Sequence, residues 1–196
     1  MIRYLWGGSM SNTTKNALAE SLKTVLVKKP LDKVTIADIT DNCGVNRMTF
    51  YYHFQDIYDL VEWVCVAEAE KALAGKRHYD NWQEGFYNLL LLMIDNKPLV
   101  TNVYHSMSRE QIDMYIHRLT EALFIDVIDE LCKEAPLQDK DKEFIASFYI
   151  YAFSGVVLEW IEHNMKEDPE DIINRLSIIT EGNMADAIKR FSNQNK

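Results

Sequence analysis

The sequence predicts an all-α fold. Its 196 residues include only 7 Gly and 4 Pro, too few to turn the strands of a sandwich or barrel. Apolar residues make up 47%, the share of a chain that folds around a core rather than one that stays disordered. Apolar positions also recur at helical spacing, behind residues that cap helix starts. The length suits one large or two small domains, with a core that requires neither disulfides nor metals.

The first helix is expected over Thr13–Lys28, with Leu18, Leu22, Val25 and Leu26 on one stripe. Lys29-Pro30 stops it, because the residue before a proline avoids helix. Thr35-Ile36-Ala37-Asp38 is a capping-box pattern that opens a second helix, closed by Asn42-Cys43-Gly44. A third helix follows at once with Asn46 as its N-cap, and Phe50 and Phe54, four apart, turn inward. Asp56 caps a fourth helix over Ile57–Ala74. Further helices are expected over Trp82–Asn96, Pro98–Met107, a long stretch from the capping box at Ser108-Arg109-Glu110-Gln111 to Ala135, Asp141–Lys166, and Pro169–Phe191. No repeat or low-complexity tract interrupts them.

Charge divides the chain. The formal net charge is −9, yet residues 1–55 hold 7 Lys/Arg against 4 Asp/Glu, and residues 56–196 hold 14 against 26. A mildly basic head can approach a polyanion while an acidic body repels it and sets the orientation. Three widely spaced cysteines, Cys43, Cys65 and Cys132, without a CxxC pair, fit a reducing cytoplasm. The N-terminus lacks the apolar region of a signal peptide, and residues 1–12 are read as a disordered extension with Met10 the working start. Phe144–Ile161 has one charge in 18 residues, at the lower limit for a membrane span. Acidic flanks and the absence of a basic cluster favour the centre of a bundle, so no membrane partner is expected.

Residues 35–53 read as helix, glycine turn, helix. The second of such a pair can lay its N-terminal residues against base edges while the first crosses the backbone. Arg47 can fork onto guanine, Met48 can pack on a methyl, and Thr49 can reach a phosphate or a thymine methyl. Tyr51, Tyr52 and His53 offer donors toward phosphate oxygens. On spacing alone, an ordinary helical hairpin with packed tyrosines remains an equal alternative.

The run Thr35-Ile36-Ala37-Asp38-Ile39, with Cys43-Gly44-Val45-Asn46-Arg47-Met48-Thr49-Phe50-Tyr51-Tyr52-His53-Phe54, resembles the TetR family of bacterial transcriptional regulators. The resemblance covers about residues 13–65. It implies a three-helix helix-turn-helix domain over 13–56 that binds double-stranded DNA, and a helical effector and dimerisation domain over 57–196. It places Thr35 at a phosphate-contacting position, Arg47, Met48 and Thr49 at base-reading positions, and Tyr51 and His53 at phosphate-contacting positions, with Tyr52 at a variable position between them. Two departures stand out. Many members carry a basic residue where Ala37 stands and a lysine where Ile57 stands. Lys15, Lys28, Lys29 and Lys33 could compensate, or simply form a solvated basic face. The phrase Phe50 to Leu60 further resembles regulators of dihydroxyacetone kinase operons, some of which activate transcription with a partner protein.

The resemblance implies a homodimer built on the last two helices. The Phe144–Ile161 helix is apolar on more faces than one core can use, which independently suggests that a second subunit covers the remainder. Ala152, Gly155, Val156, Ile172 and Leu176 are the expected dimer residues, with Gly155 permitting either close approach across the dimer or tight packing within one subunit. Trp63, Phe86, Tyr104, Met107, Tyr115, Phe148 and Tyr151 are candidates to line an effector pocket, although aromatic and Met residues at helical spacing usually form core. Control is expected from an unidentified small-molecule effector or a co-regulator protein. The five histidines are scattered, without metal-ligand spacing, so no metal or other cofactor is expected. No nucleophile elbow or phosphate loop suggests an enzyme. The rival reading is a helical protein–protein interaction module without specific DNA binding of its own.

Overall fold

The computed structural model describes residues 9–194, all of whose regular structure is helical. The helices are α1 (Ser9–Leu26), α2 (Ile36–Cys43), α3 (Arg47–His53), α4 (Ile57–Ala72), α5 (Trp82–Asp95), α6 (Lys97–Ser106), α7 (Arg109–Glu134), α8 (Asp139–Glu162), α9 (Pro169–Thr180) and α10 (Asn183–Gln194). A single 3-10 turn, Leu31–Lys33, links α1 to α2. The chain forms two compact units. One runs through Val64 and takes in Pro98–Ser106; the other comprises Cys65–Lys97 and Met107 onward.

In the first unit, α1 buries Leu18, Leu22, Val25 and Leu26, the stripe its spacing defines, together with Ile39, Phe50 and Phe54. Polar bonds fix the packing. The Ser21 hydroxyl donates to the Ile39 carbonyl (2.6 Å), and the Asn42 amide donates back to Ser21 (3.0 Å). Helix α6 is hydrogen-bonded into this unit by Asn102. Asn102 Nδ2 donates to the carbonyls of Leu26 and Lys29, and its Oδ1 accepts from the Leu31 amide (2.8 Å). One asparagine thus satisfies three backbone groups of the turn after α1 that have no helical partner.

In the second unit, α7 packs on α8, α5 on α7 and α9, and α10 on α7, α8 and α9. An aromatic cluster forms the centre. Phe153 meets Phe124, Phe86 and Trp82 at 4.5, 5.1 and 5.4 Å between ring centres, in the edge-to-face geometry that aromatic quadrupoles favour. Thr120 and Ser154 share a buried hydrogen bond beside it. Gly85 of α5 lies under the Lys76 carbonyl, where a Cβ would come within 2.5 Å.

Three departures from the sequence reading stand out among smaller shifts of one to three residues at helix ends. Helix α1 starts at Ser9, so residues 9–12, expected in a disordered extension, are helical; no Gly or Pro stands between Ser9 and Leu26 to stop it. The rest of that extension lies outside the described residues. The last helix is two, because Gly182 adopts a left-handed φ of 72° between α9 and α10. Helix α8 ends at Glu162 rather than Lys166, with His163 bonded back to the Glu159 carbonyl and positive φ at Asn164 and Met165. By length and composition α8 is apolar enough to cross a membrane, yet half of that window is buried inside the fold.

Candidate DNA-binding site

The geometry of α2 and α3 follows from three local devices. Thr35 and Asp38 close a reciprocal capping box at the start of α2. The Asp38 carboxylate accepts from the Thr35 amide (2.7 Å) and hydroxyl (2.5 Å) and from the Lys29 ammonium. The Lys29 and Thr35 bonds hold its pKa down at about 2, so it stays charged across the physiological range. Gly44 then takes φ 71°, ψ 23°, the left-handed cap that lets α3 start three residues later, at Arg47. Asn46 caps α3, its Oδ1 accepting from the Thr49 amide (2.8 Å) and hydroxyl (3.0 Å).

Phe50 is the only fully buried side chain of α3. It anchors the helix, and the opposite face points outward. Met48 is 76% exposed and Tyr52 84%, with Arg47 and Tyr51 also exposed. Arg47 makes no ion pair among the described residues. A large apolar side chain and an aromatic ring left in water on a short capped helix are what a reading surface needs and a folding core does not. His53 is half-buried, its ring against those of Tyr52 (5.0 Å) and Phe54 (6.4 Å). Burial and the nearby Lys15 charge push its pKa below the usual imidazole value, which makes it a neutral N–H donor near pH 7.

The hydroxyls need a correction. Both Thr35 and Thr49 already donate within the protein, to Asp38 and Asn46. Their remaining means of contact are a lone pair and a methyl group, so Thr49 is better suited to a thymine methyl than to donating toward a phosphate. The basic face is also thinner than its sequence suggests, since Lys29 is held by Asp38 and Lys33 by Asp32.

The structure does not bring the effector-pocket candidates together. Trp63 and Tyr104 fall in the first unit and are half-buried. Phe86, Met107 and Tyr115 are buried in the second, Phe86 inside the aromatic cluster. Phe148 and Tyr151 are corrected outright: at 63% and 68% exposure they face outward from α8, not into an interior. An open depression on the second unit is lined by charged residues, among them Arg77, His78, Asp126, Asp129 and Glu130, and none of the seven candidates borders it. Glu130 accepts from the Tyr79 amide and lies beside His78, and both depress its pKa.

The dimer candidates divide. Ala152 and Gly155 are exposed and Val156 half-buried on α8, and among the described residues nothing lies within 4 Å of a Cβ placed at Gly155, which argues against packing within the subunit as its reason. Ile172 and Leu176 are buried within the chain, so they belong to its core. The exposed apolar residues of α9 are Ile178 and Ile179 instead, and those of α8 include Phe144, Phe148 and Tyr151. The spacing 144, 148, 151, 152, 155 is a second helical stripe on α8, visible in the sequence once two apolar faces are sought rather than one.

A helix-turn-helix whose second helix exposes Arg47, Met48, Tyr51 and Tyr52, in one chain with a helical bundle, defines a DNA-binding transcriptional regulator rather than an enzyme. Residues 18–64 match the model of bacterial regulatory proteins of the tetR family, and residues 80–182 match a transcriptional regulator C-terminal region of the same kind. The chain belongs to the tetR family. It is 21% identical over 150 residues to the HTH-type dhaKLM operon transcriptional activator DhaS of Lactococcus lactis subsp. lactis (strain IL1403), across 76% of this chain and 79% of that protein. Among solved structures, a dihydroxyacetone kinase operon activator DhaS shares the fold with a TM-score of 0.64 at 19% identity, over 91% of this chain and 97% of the other. A TetR transcriptional regulator from Streptococcus agalactiae 2603V does so at 0.59 and 20% identity, over 88% and 96%.

Proposed function

We propose that two copies of this chain bind a pseudo-palindromic operator in the cytoplasm, each setting α3 in a major groove about 34 Å from the other. The single observation that carries the reading is α3 itself, anchored by buried Phe50 and capped by Asn46, with Arg47 and Met48 unengaged at its solvent-facing start. Residues 13–56 act as the DNA-binding domain and 57–196 as the effector and dimerisation domain. The roles assigned are base reading for Arg47, Met48 and Thr49, and backbone contact for Tyr51, Tyr52 and His53; Thr35 joins them only if DNA draws its hydroxyl away from Asp38. The exposed apolar stripe of α8, with Ala152 and Gly155 at its centre, and the exposed end of α9 form the dimer face.

Control comes from an effector or a protein partner. The charged lining of the depression on the second unit and the dispersed pocket candidates favour a partner protein, and the likeness to an activator of a dihydroxyacetone kinase operon favours activation over repression. On this reading the chain activates an operon of that type.

The test is fluorescence anisotropy with DNA from upstream of the protein's own gene and its neighbours, against a scrambled duplex. Arg47→Ala is expected to cost about 1–3 kcal/mol on the specific duplex and to relax one base position. Specific binding unchanged by that substitution would remove α3 as the reading helix.

A further inference from the structure

Lys15, in α1, holds its ammonium over two rings, 5.6 Å from the centre of Phe54 and 5.8 Å from that of Trp63. The two rings meet edge to face at 6.0 Å, so the cation rests on both. Phe54 ends the helix-turn-helix and its ring adjoins that of His53, which brings the lysine to the C-terminal end of α3. There its charge adds to burial, the larger cause, in holding the His53 pKa below its usual value.

Three observations separate this lysine from an ordinary surface charge. It makes no ion pair among the described residues, whereas Lys23, Lys29 and Lys33 of the same unit are held by Glu20, Asp38 and Asp32; Lys28 is also without an ion pair there, but only Lys15 sits over aromatic rings. Its long stem is already ordered by the aromatic seat, so a later contact loses less rotamer freedom than it would with a free lysine. The neighbouring start of α4 is acidic. Asp56 accepts from the Asp59 amide and Asp59 from the Gln55 amide, while Ile57 offers no charge. A phosphate approaching the end of α3 would therefore find two carboxylates at the start of α4, Asp56 just before it and Asp59 in its first turn, and need a cation from another element.

We propose that Lys15 contacts the DNA backbone: α1 presents, from its aromatic seat, the phosphate-binding cation that the start of α4 lacks. The proposal rests on the DNA-binding reading above and adds a residue outside α2 and α3 to it. The contact is to phosphate, so it carries no sequence information.

The experiment compares full-length wild type, Lys15→Gln, Lys15→Met and Lys15→Arg on the labelled upstream duplex and its scrambled counterpart, across a salt series. Lys15→Met keeps the apolar stem against the rings if Lys15→Gln folds poorly. The neutral variants are expected to weaken both duplexes by the same factor. They should flatten the slope of log affinity against log salt by about 0.9 for each bound subunit. Between about 50 and 200 mM salt, that slope shrinks the deficit relative to wild type by about 3.5-fold per contact. Lys15→Arg should restore the slope, and the His53 imidazole, followed by NMR, should titrate at higher pH in the neutral variants. A folded neutral variant with the wild-type slope overturns the proposal and leaves Lys15 as packing for α1. A wild-type protein whose binding is insensitive to both salt and Arg47→Ala overturns the DNA-binding reading itself.

Discussion

One substitution, Gly to Ala, should have opposite effects at two helical positions of the second unit. On propensity alone, Ala in a helix interior gains about 0.8–1 kcal/mol over Gly. At Gly85 the added Cβ would lie 2.5 Å from the Lys76 carbonyl oxygen, 3.1 Å from the Lys76 Cβ and 3.2 Å from a Leu123 methyl. The nearest atom is backbone, and that backbone is tied down. The Lys76 amide bonds to Leu73, Asn81 Nδ2 holds the Gly75 carbonyl, and Asn81 Oδ1 takes the His78 amide. Moving the loop breaks such bonds, and overpacking of this kind costs about 1–3 kcal/mol, so Gly85→Ala should lose about 1–2 kcal/mol net. At Gly155 an added Cβ would meet nothing within 4 Å among the described residues, and the same change should raise subunit stability by up to about 1 kcal/mol. Urea denaturation at one fixed protein concentration reads both, since association contributes to the stability of a dimer. Sedimentation of Gly155→Ala adds the second half of the argument: weaker self-association beside a better-folded subunit marks Gly155 as a point of close approach between copies. A Gly85→Ala protein as stable as wild type would refute the claim that the 75–81 loop presses on α5.

Two further outcomes follow from the first unit. Asn102→Ala strips three backbone groups of their partner and should cost about 2–4 kcal/mol, with the Leu31 amide losing protection in hydrogen exchange; unaltered protection would mean that the turn after α1 holds itself. His53 titrates below its ordinary value when folded, so below about pH 6.5 the unfolded chain takes up a proton that the folded chain refuses, and stability falls as pH drops through that window. His53→Gln should remove that component of the pH dependence, which denaturant midpoints at about pH 7.5 and 5.5 would detect.

The elements that could be read in advance are those where a local rule has a single solution. Thr35 with Asp38, Ser108 with Gln111, and Asn46 each cap the helix that their spacing announces, because an orphan amide and a side-chain oxygen three residues away have few other partners. Gly44 was legible for the same reason, and Gly182, which the same rule covers, divides a helix that apolar periodicity alone would continue. The bond from Asn102 to the turn after α1 spans more than 70 residues, and no local pattern announces it.

Facing was harder than helicity. In α9, Ile172, Ile173, Leu176, Ile178 and Ile179 surround most of the helix, and a subunit core and a surface that buries itself against another copy draw on the same residue types. Sequence therefore cannot say that Ile172 and Leu176 point inward while Ile178 and Ile179 point outward. Helix α3 is the opposite case. Met48 and Tyr52 are too apolar for solvent and too exposed for a core, and on a seven-residue helix with one buried anchor the conflict has one resolution. The face was recognisable because its composition breaks the rule for a surface. Lys15 escaped that logic, since a lysine near an N-terminus breaks no rule; only the two rings beneath it, from positions 54 and 63, distinguish it from a solvated charge.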